Sequence, residues 1–224
     1  MIKNISNLGD AALYCDFGTE VNKQINSEVI KYFNSIKEKN IEGINNLTPS
    51  YNKLIISYDL RVTNFSEIKD KIEKLNVIKA VKTGNKNLEI PVCCDTSFSL
   101  DIERLKKKLN LTQKDILSNF FDKEFFCYMT GFIAGLPFLG DLDENLRAER
   151  LETPRVKVPK GSVGITEQFA NIYTFESPGG WNIIGNTPLN VFDSSKENDP
   201  NLINPGDLVT FKQITLDNYN NYNE

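Results

Sequence analysis

Glu176-Ser177-Pro178-Gly179-Gly180-Trp181-Asn182-Ile183-Ile184-Gly185-Asn186-Thr187-Pro188-Leu189 is the stretch on which the fold turns. Two glycines stand beside the chain's one tryptophan, and prolines bracket the segment. Gly179 and Gly180 can take backbone angles closed to other residues, while Pro178 and Pro188 fix the entry and exit. Two readings stay open at this point: a rigid surface loop that holds something, or a hairpin that places Trp181 in a core.

Around this stretch the chain is punctuated by glycine and proline at the spacing of short strands. Val156 to Val158, Ser162 to Ile165, Ile172 to Phe175, Trp181 to Ile184, Leu189 to Phe192 and Leu208 to Phe211 are the strand candidates, so a barrel or sandwich is expected. Two helices precede them, around Ile102 to Leu109 and Thr112 to Asn119. The asparagine- and tyrosine-rich tail from Asn218 reads as frayed.

The N-terminal part has a different texture. Ala12 to Phe17 reads as a strand, and Val21, Ile25, Val29, Tyr32, Phe33 and Ile36 fall at helical spacing. Strands Ile41 to Leu47 and Leu54 to Tyr58 follow, joined by the turn Pro49-Ser50-Tyr51-Asn52. Asn64 or Ser66 can cap a helix bearing Phe65, Ile68, Ile72 and Leu75, and Asn87 to Cys93 closes the set as a strand. That order, βαββαβ, is the order of a ferredoxin-like sandwich. The expected fold is therefore α+β, with a ferredoxin-like α/β domain over residues 1–89 and a β-barrel domain over residues 90–224.

Composition narrows the function. The 224 residues carry a net charge of -4 and no evident basic face, which argues against nucleic acid as a partner. The run Arg104-Leu105-Lys106-Lys107-Lys108 reads as a solvated helix face. No run of about 18 apolar residues exists to span a bilayer, and Met1 to Ile5 lacks a signal-peptide core, so a cytoplasmic chain is expected. The four cysteines show no C-x-x-C spacing; vicinal Cys93-Cys94 reads as two residues alternating across a strand rather than a redox or soft-metal pair. The chain has no histidine, which removes the commonest general base and the commonest zinc ligand. Neither G-x-x-x-x-G-K-[ST] nor G-x-G-x-x-G occurs, so no metal and no nucleotide is expected on this chain alone.

Three motifs carry a resemblance: Gly131-Phe132-Ile133-Ala134-Gly135-Leu136-Pro137-Phe138-Leu139-Gly140, then Thr153 to Ile165, then Glu176 to Leu189. In that order and spacing they resemble the KipI family, also called allophanate hydrolase subunit 1; Gly9 to Leu13 and Asn52 to Asp59 extend the likeness over nearly the whole chain. The family includes the B component of bacterial ATP-dependent 5-oxoprolinase, an inhibitor of a sporulation histidine kinase and a domain of urea amidolyase. The resemblance implies a small α/β domain followed by a cyclophilin-like barrel, which names a fold and not an isomerase. It implies either a non-autonomous hydrolase component acting with homologues of the C and A components, with ATP in the assembled complex, or a KipI-like inhibitor of a histidine kinase. A non-catalytic relic is the third form, because several polar family positions are replaced. Phe120 stands at the family's histidine, Cys94-Asp95-Thr96-Ser97 at its tyrosine-glycine-glycine-glutamate, Glu149-Arg150 at its first Pro-Arg pair, and Glu167-Gln168-Phe169-Ala170 at its Gly-Gly-Gln-Thr turn.

The remaining candidates form a ligand or partner groove: Phe132, Phe138, Arg155, Lys160, Ser162, Glu176, Ser177, Gly179, Gly180 and Trp181, with Lys157 nearby. Arg155 offers a planar fork for a carboxylate or phosphate, or else a salt bridge to an acid such as Asp193 or Glu176. Glu176 reads as a base raised by burial, or as a cap on the amides of the glycine turn. Gly179 and Gly180 present amides to an oxyanion, or let the loop approach the barrel closely.

Overall fold

The computed structural model describes residues 2–77, 86–197 and 199–222, and the chain divides into two compact units, 1–83 and 84–224. In the first unit, β1 (Asn4–Asn7), β2 (Ala12–Asp16), β3 (Ile44–Pro49) and β4 (Lys53–Tyr58) form an antiparallel sheet in the order β1-β2-β4-β3. Period-two alternation sends Leu13, Cys15, Leu54 and Ile56 to one face. There they meet Val29 and Ile36 of α1 (Lys23–Lys39) and Ile68 and Ile72 of α2 (Phe65–Glu73). Asparagines cap both helices: Asn64 Oδ1, one of the two caps expected, accepts from Glu67 N–H at 3.1 Å, and Asn22 Oδ1 accepts from Ile25 N–H at 2.9 Å.

The strand expected to close this sheet, Asn87–Cys93, belongs instead to the second unit, where it is β5. The edge beside β2 is occupied by β1, in a hairpin whose reach Asn4↔Asp16 to Asn7↔Leu13 leaves no place for a crossover strand. Alternation alone does not say which sheet a strand joins, so the unit boundary falls ahead of the expected one.

The second unit is a closed barrel in the order β10-β7-β6-β13-β5-β12-β9. Its strands are β5, β6 (Glu124–Thr130), β7 (Pro137–Gly140), β9 (Ser162–Thr166), β10 (Phe169–Ile172), β12 (Asn182–Asn186) and β13 (Leu208–Ile214). β13 runs parallel to β5 from Leu208↔Asn87 to Ile214↔Cys93 and antiparallel to β6. Ile90, Val92 and Cys94 line one side of β5, which puts Cys93 and Cys94 on opposite faces, and both thiols are buried. Outside the barrel, β8 (Arg155–Val158) and β11 (Ser177–Gly179) pair as a short antiparallel ribbon.

Helices α3 (Ile102–Leu109) and α4 (Gln113–Phe121) pack Ile102, Leu105, Ile116, Leu117 and Phe120 onto the barrel core. Phe120 is fully buried, stacked on Phe211 at 4.8 Å and tilted on Phe125 at 5.2 Å.

Several strand positions differ from expectation. β6 and β7 were not anticipated, because their apolar runs sit between helix and glycine signals. Ile172 to Phe175 shifts back to Phe169–Ile172, whose hairpin to β9 pairs Phe169 with Thr166. Leu189 to Phe192 forms no named strand; Phe192 makes a single bridge to Asn201. The tail is ordered as α5 (Leu216–Asn220), docked by Tyr219, whose hydroxyl donates to Asn186 Oδ1 at 2.8 Å and whose ring meets Phe98 at 4.6 Å.

Candidate functional site

Asp101, at the start of α3, organises the β8–β11 ribbon. It is 4% exposed and accepts from both Arg155 guanidinium nitrogens, Nη1 at 2.9 Å and Nη2 at 2.6 Å. Its Oδ2 also accepts from Ile183 N–H at 2.7 Å, while its own N–H donates to Ile183 O at 3.0 Å. One carboxylate therefore ties α3, β8 and β12 together. The Arg155 fork is consumed in doing so, and the partner acid is Asp101, neither Asp193 nor Glu176. Asp101 was not singled out in the sequence because 54 residues separate it from Arg155.

Glu176 is exposed and pairs with Lys157 Nζ at 2.9 Å, which raises the lysine above its usual range. Among the described residues it caps no amide of the glycine turn, and it is not buried as a base would be. Gly179 and Gly180 avoid the left-handed region, so glycine is not required there for its dihedrals. A Cβ on Gly179 would fall inside the Tyr173 hydroxyl, whereas one on Gly180 would meet Pro154 Cγ at an ordinary 3.6 Å. Close approach to the barrel is the reason for Gly179.

Trp181 is 6% exposed, with its ring edge-on to Phe138 at 5.7 Å; Phe138 in turn meets Phe169 at 5.8 Å. The tryptophan is packed on the outer face of the barrel beside Gly164, whose missing side chain leaves room for Trp181 Cβ and the Asn171 amide. Burial pushes the Tyr173 hydroxyl up; the Asn171 side chain, the Trp181 backbone, Arg150 and Arg155 act in the opposite direction. Among the described residues Asn171 Oδ1 and Ser177 Oγ, both buried, have no hydrogen-bond partner.

Over the Trp181 ring lies the Arg150 guanidinium, 5.8 Å from the centroid. The backbone on both sides of Arg150 is pinned: Asn182 Nδ2 donates to Glu149 O at 3.1 Å, and Leu151 N–H donates to Gly180 O at 2.7 Å. Asn182 is itself buried, accepts from Arg104 and donates to Ile165 O at 3.1 Å.

The structure thus brings Phe138, Arg155, Ser177, Gly179, Gly180 and Trp181 to the ribbon and the barrel face beneath it. Glu176 joins the ribbon through Lys157, but Ser162, Lys160 and Phe132 lie elsewhere. Ser162 is buried opposite Asn186, three register positions from the Ile165↔Asn182 pair, and Lys160 projects outward to Asn190 Oδ1 at 2.8 Å. Phe132 is 73% exposed at the β6–β7 turn with φ of +70°, a strained setting for an aromatic residue. Arg150, Tyr173 and Asn171 were missed as site residues; the Trp-facing role of Arg150 depends on contacts between residues about 30 apart, which sequence spacing does not reveal.

Among the described residues no group of three or more His, Cys, Asp or Glu is arranged to hold a metal, and no helix is long and apolar enough to cross a membrane.

Comparison with known proteins gives a consistent set of likenesses. Residues 3–203 match the family described as carboxyltransferase domain, subdomain C and D. The chain is 32% identical over 232 residues to the B component of 5-oxoprolinase from Bacillus subtilis (strain 168), covering 98% of this chain and 96% of that protein. It is 31% identical to the protein of the same name from Haemophilus influenzae, over 93% and 96% of the two chains. Among solved structures, TTHA0988 superposes with a TM-score of 0.79 at 28% identity over 91% of this chain, and this chain spans 40% of that one.

Proposed function

The chain belongs to the carboxyltransferase-domain family, subdomain C and D, and from that membership we propose that it serves as the B component of an ATP-dependent 5-oxoprolinase. The observation that carries the reading is end-to-end similarity, at 32% identity, to a protein bearing that name. In this reading 5-oxoproline is opened to glutamate by an assembly with homologues of the C and A components, in the cytoplasm. ATP enters the assembled complex; this chain has no nucleotide-binding motif of its own and no histidine for proton transfer.

The expected chemistry is phosphorylation of the lactam oxygen followed by hydrolysis, and a component of this kind contributes one side of a shared site. The candidate surface is the Trp181, Phe138 and ribbon region, where exposed Val156 offers an apolar contact to a partner chain. The finer fold assignments belong to the same proposal: a first unit related to ferredoxin-like sandwiches with β1 in place of the closing strand, and a cyclophilin-like barrel. The kinase-inhibitor alternative draws no support from the named relatives.

The test is glutamate release from 5-oxoproline and ATP by this chain reconstituted with homologues of the A and C components, omitting each in turn. Activity that depends on this chain is expected; full activity without it, or none from folded and associated components, overturns the reading.

A further inference from the structure

We infer that Arg150, not Arg155, is the residue of this chain that recognises a small carboxylate, holding it over the Trp181 ring. The assignment rests on the 5-oxoprolinase reading only for the identity of the ligand, a five-membered lactam bearing a carboxylate.

Among the described residues, the neighbouring cations Arg155, Lys157, Lys108 and Arg104 have partners. Arg155 is held bidentately by buried Asp101, Lys157 pairs with Glu176, Lys108 with Glu149, and Arg104 bonds to Asn182. Arg150 is exposed and has no carboxylate partner among the described residues. It is nonetheless placed, because hydrogen bonds from Asn182 to Glu149 O and from Leu151 to Gly180 O hold the backbone on either side of it against the residues flanking Trp181. A guanidinium that lies over an indole face keeps its in-plane donors available for a bidentate anion, and the ring limits its rotamers before the ligand arrives.

The ground beneath the guanidinium is rigid and apolar. Trp181, 6% exposed, and Phe138, edge-on to it at 5.7 Å, back the Arg150 guanidinium with packed aromatic surface.

Trp181 is the one tryptophan in the chain, so its fluorescence reports directly on this surface. The experiment is a titration of that signal in the full chain with 5-oxoproline, with 2-pyrrolidinone, which is the same ring without the carboxylate, and with glutamate. Wild type, Arg150→Gln, Arg150→Lys and the control Arg147→Gln are compared. Wild type is expected to bind 5-oxoproline at least roughly tenfold more tightly than 2-pyrrolidinone, and Arg150→Gln to lose that advantage. Arg150→Lys should recover part of it, and Arg147→Gln should keep all of it. An unchanged affinity in Arg150→Gln, an equal loss in Arg147→Gln, or no Arg150-dependent signal from any carboxylate overturns the inference. Arg150-dependent binding of glutamate without any binding of 5-oxoproline would support the carboxylate site while removing the 5-oxoprolinase reading.

Discussion

The Asp101–Arg155 pair decides how the ribbon is held. Buried charges tolerate loss of a partner badly, because the survivor is left desolvated. Asp101→Asn is therefore expected to lower unfolding free energy by about 3 kcal/mol, read as a reduced urea midpoint at unchanged slope. The double variant Asp101→Asn/Arg155→Gln should lose less than the sum of the two single changes; strict additivity would mean that the pair is uncoupled. The two glycines separate in the same way. Gly179→Ala forces a methyl against Tyr173 and should cost about 2 kcal/mol, partly relieved by Tyr173→Phe, whereas Gly180→Ala should be nearly neutral. Thermal melts of the four proteins check this, and equal melting for both alanine variants would show that the ribbon shifts freely.

At the scale of elements, the outcome depends on which partners a strand or helix finds. Helix α1, helix α2 and the α3–α4 pair were legible because their periodicity and caps are local; the capping box of Thr112 and Asp115 even fixes the start of α4. β5 was legible as a strand but not as a barrel strand, since its pairing with β13 joins residues 121 positions apart, as in Leu208↔Asn87. The C-terminal helix α5 was not read from the sequence: its asparagine-rich stretch has little propensity, and it is ordered by the Thr215 cap, whose Oγ1 accepts from Asn218 N–H at 3.2 Å, together with Tyr219 against Phe98 and Asn186. Tyr219→Ala should destabilise the barrel unit by about 1–2 kcal/mol and increase proteolysis after Ile214, while Tyr219→Phe should retain most of the ring contact and lose only the hydrogen bond. A tail cleaved at equal rates in wild type and Tyr219→Ala would remove α5 from the stability of the barrel.

For the whole molecule, the two units each bury free thiols: Cys15 in the first, Cys93, Cys94 and Cys127 in the second. Burial pushes Cys15 and Cys94 up to about 12, and Cys127 is raised further by burial and the nearby Asp207. Thiols that stay protonated when folded but ionise near about 8.5 when unfolded contribute stability that is complete below that pH and declines as pH rises above it. Native protein at pH 8 should accordingly resist thiol reagents. Labelling through a denaturant series should release one thiol or three together, according to which unit opens first; four thiols reacting at once would mean a single cooperative transition. Sequence by itself determined the local matters: helices and their caps, the β-rich character of the second half, the absence of histidine and nucleotide loops, and the motifs that place the chain in its family. Tertiary structure decided which sheet receives β5, that Asp101 consumes Arg155, that Gly179 serves close approach and that Arg150 faces Trp181. Propensity and periodicity act over a few residues, whereas pairing, burial and ion partnership are set between positions tens to more than a hundred residues apart, where spacing carries no information.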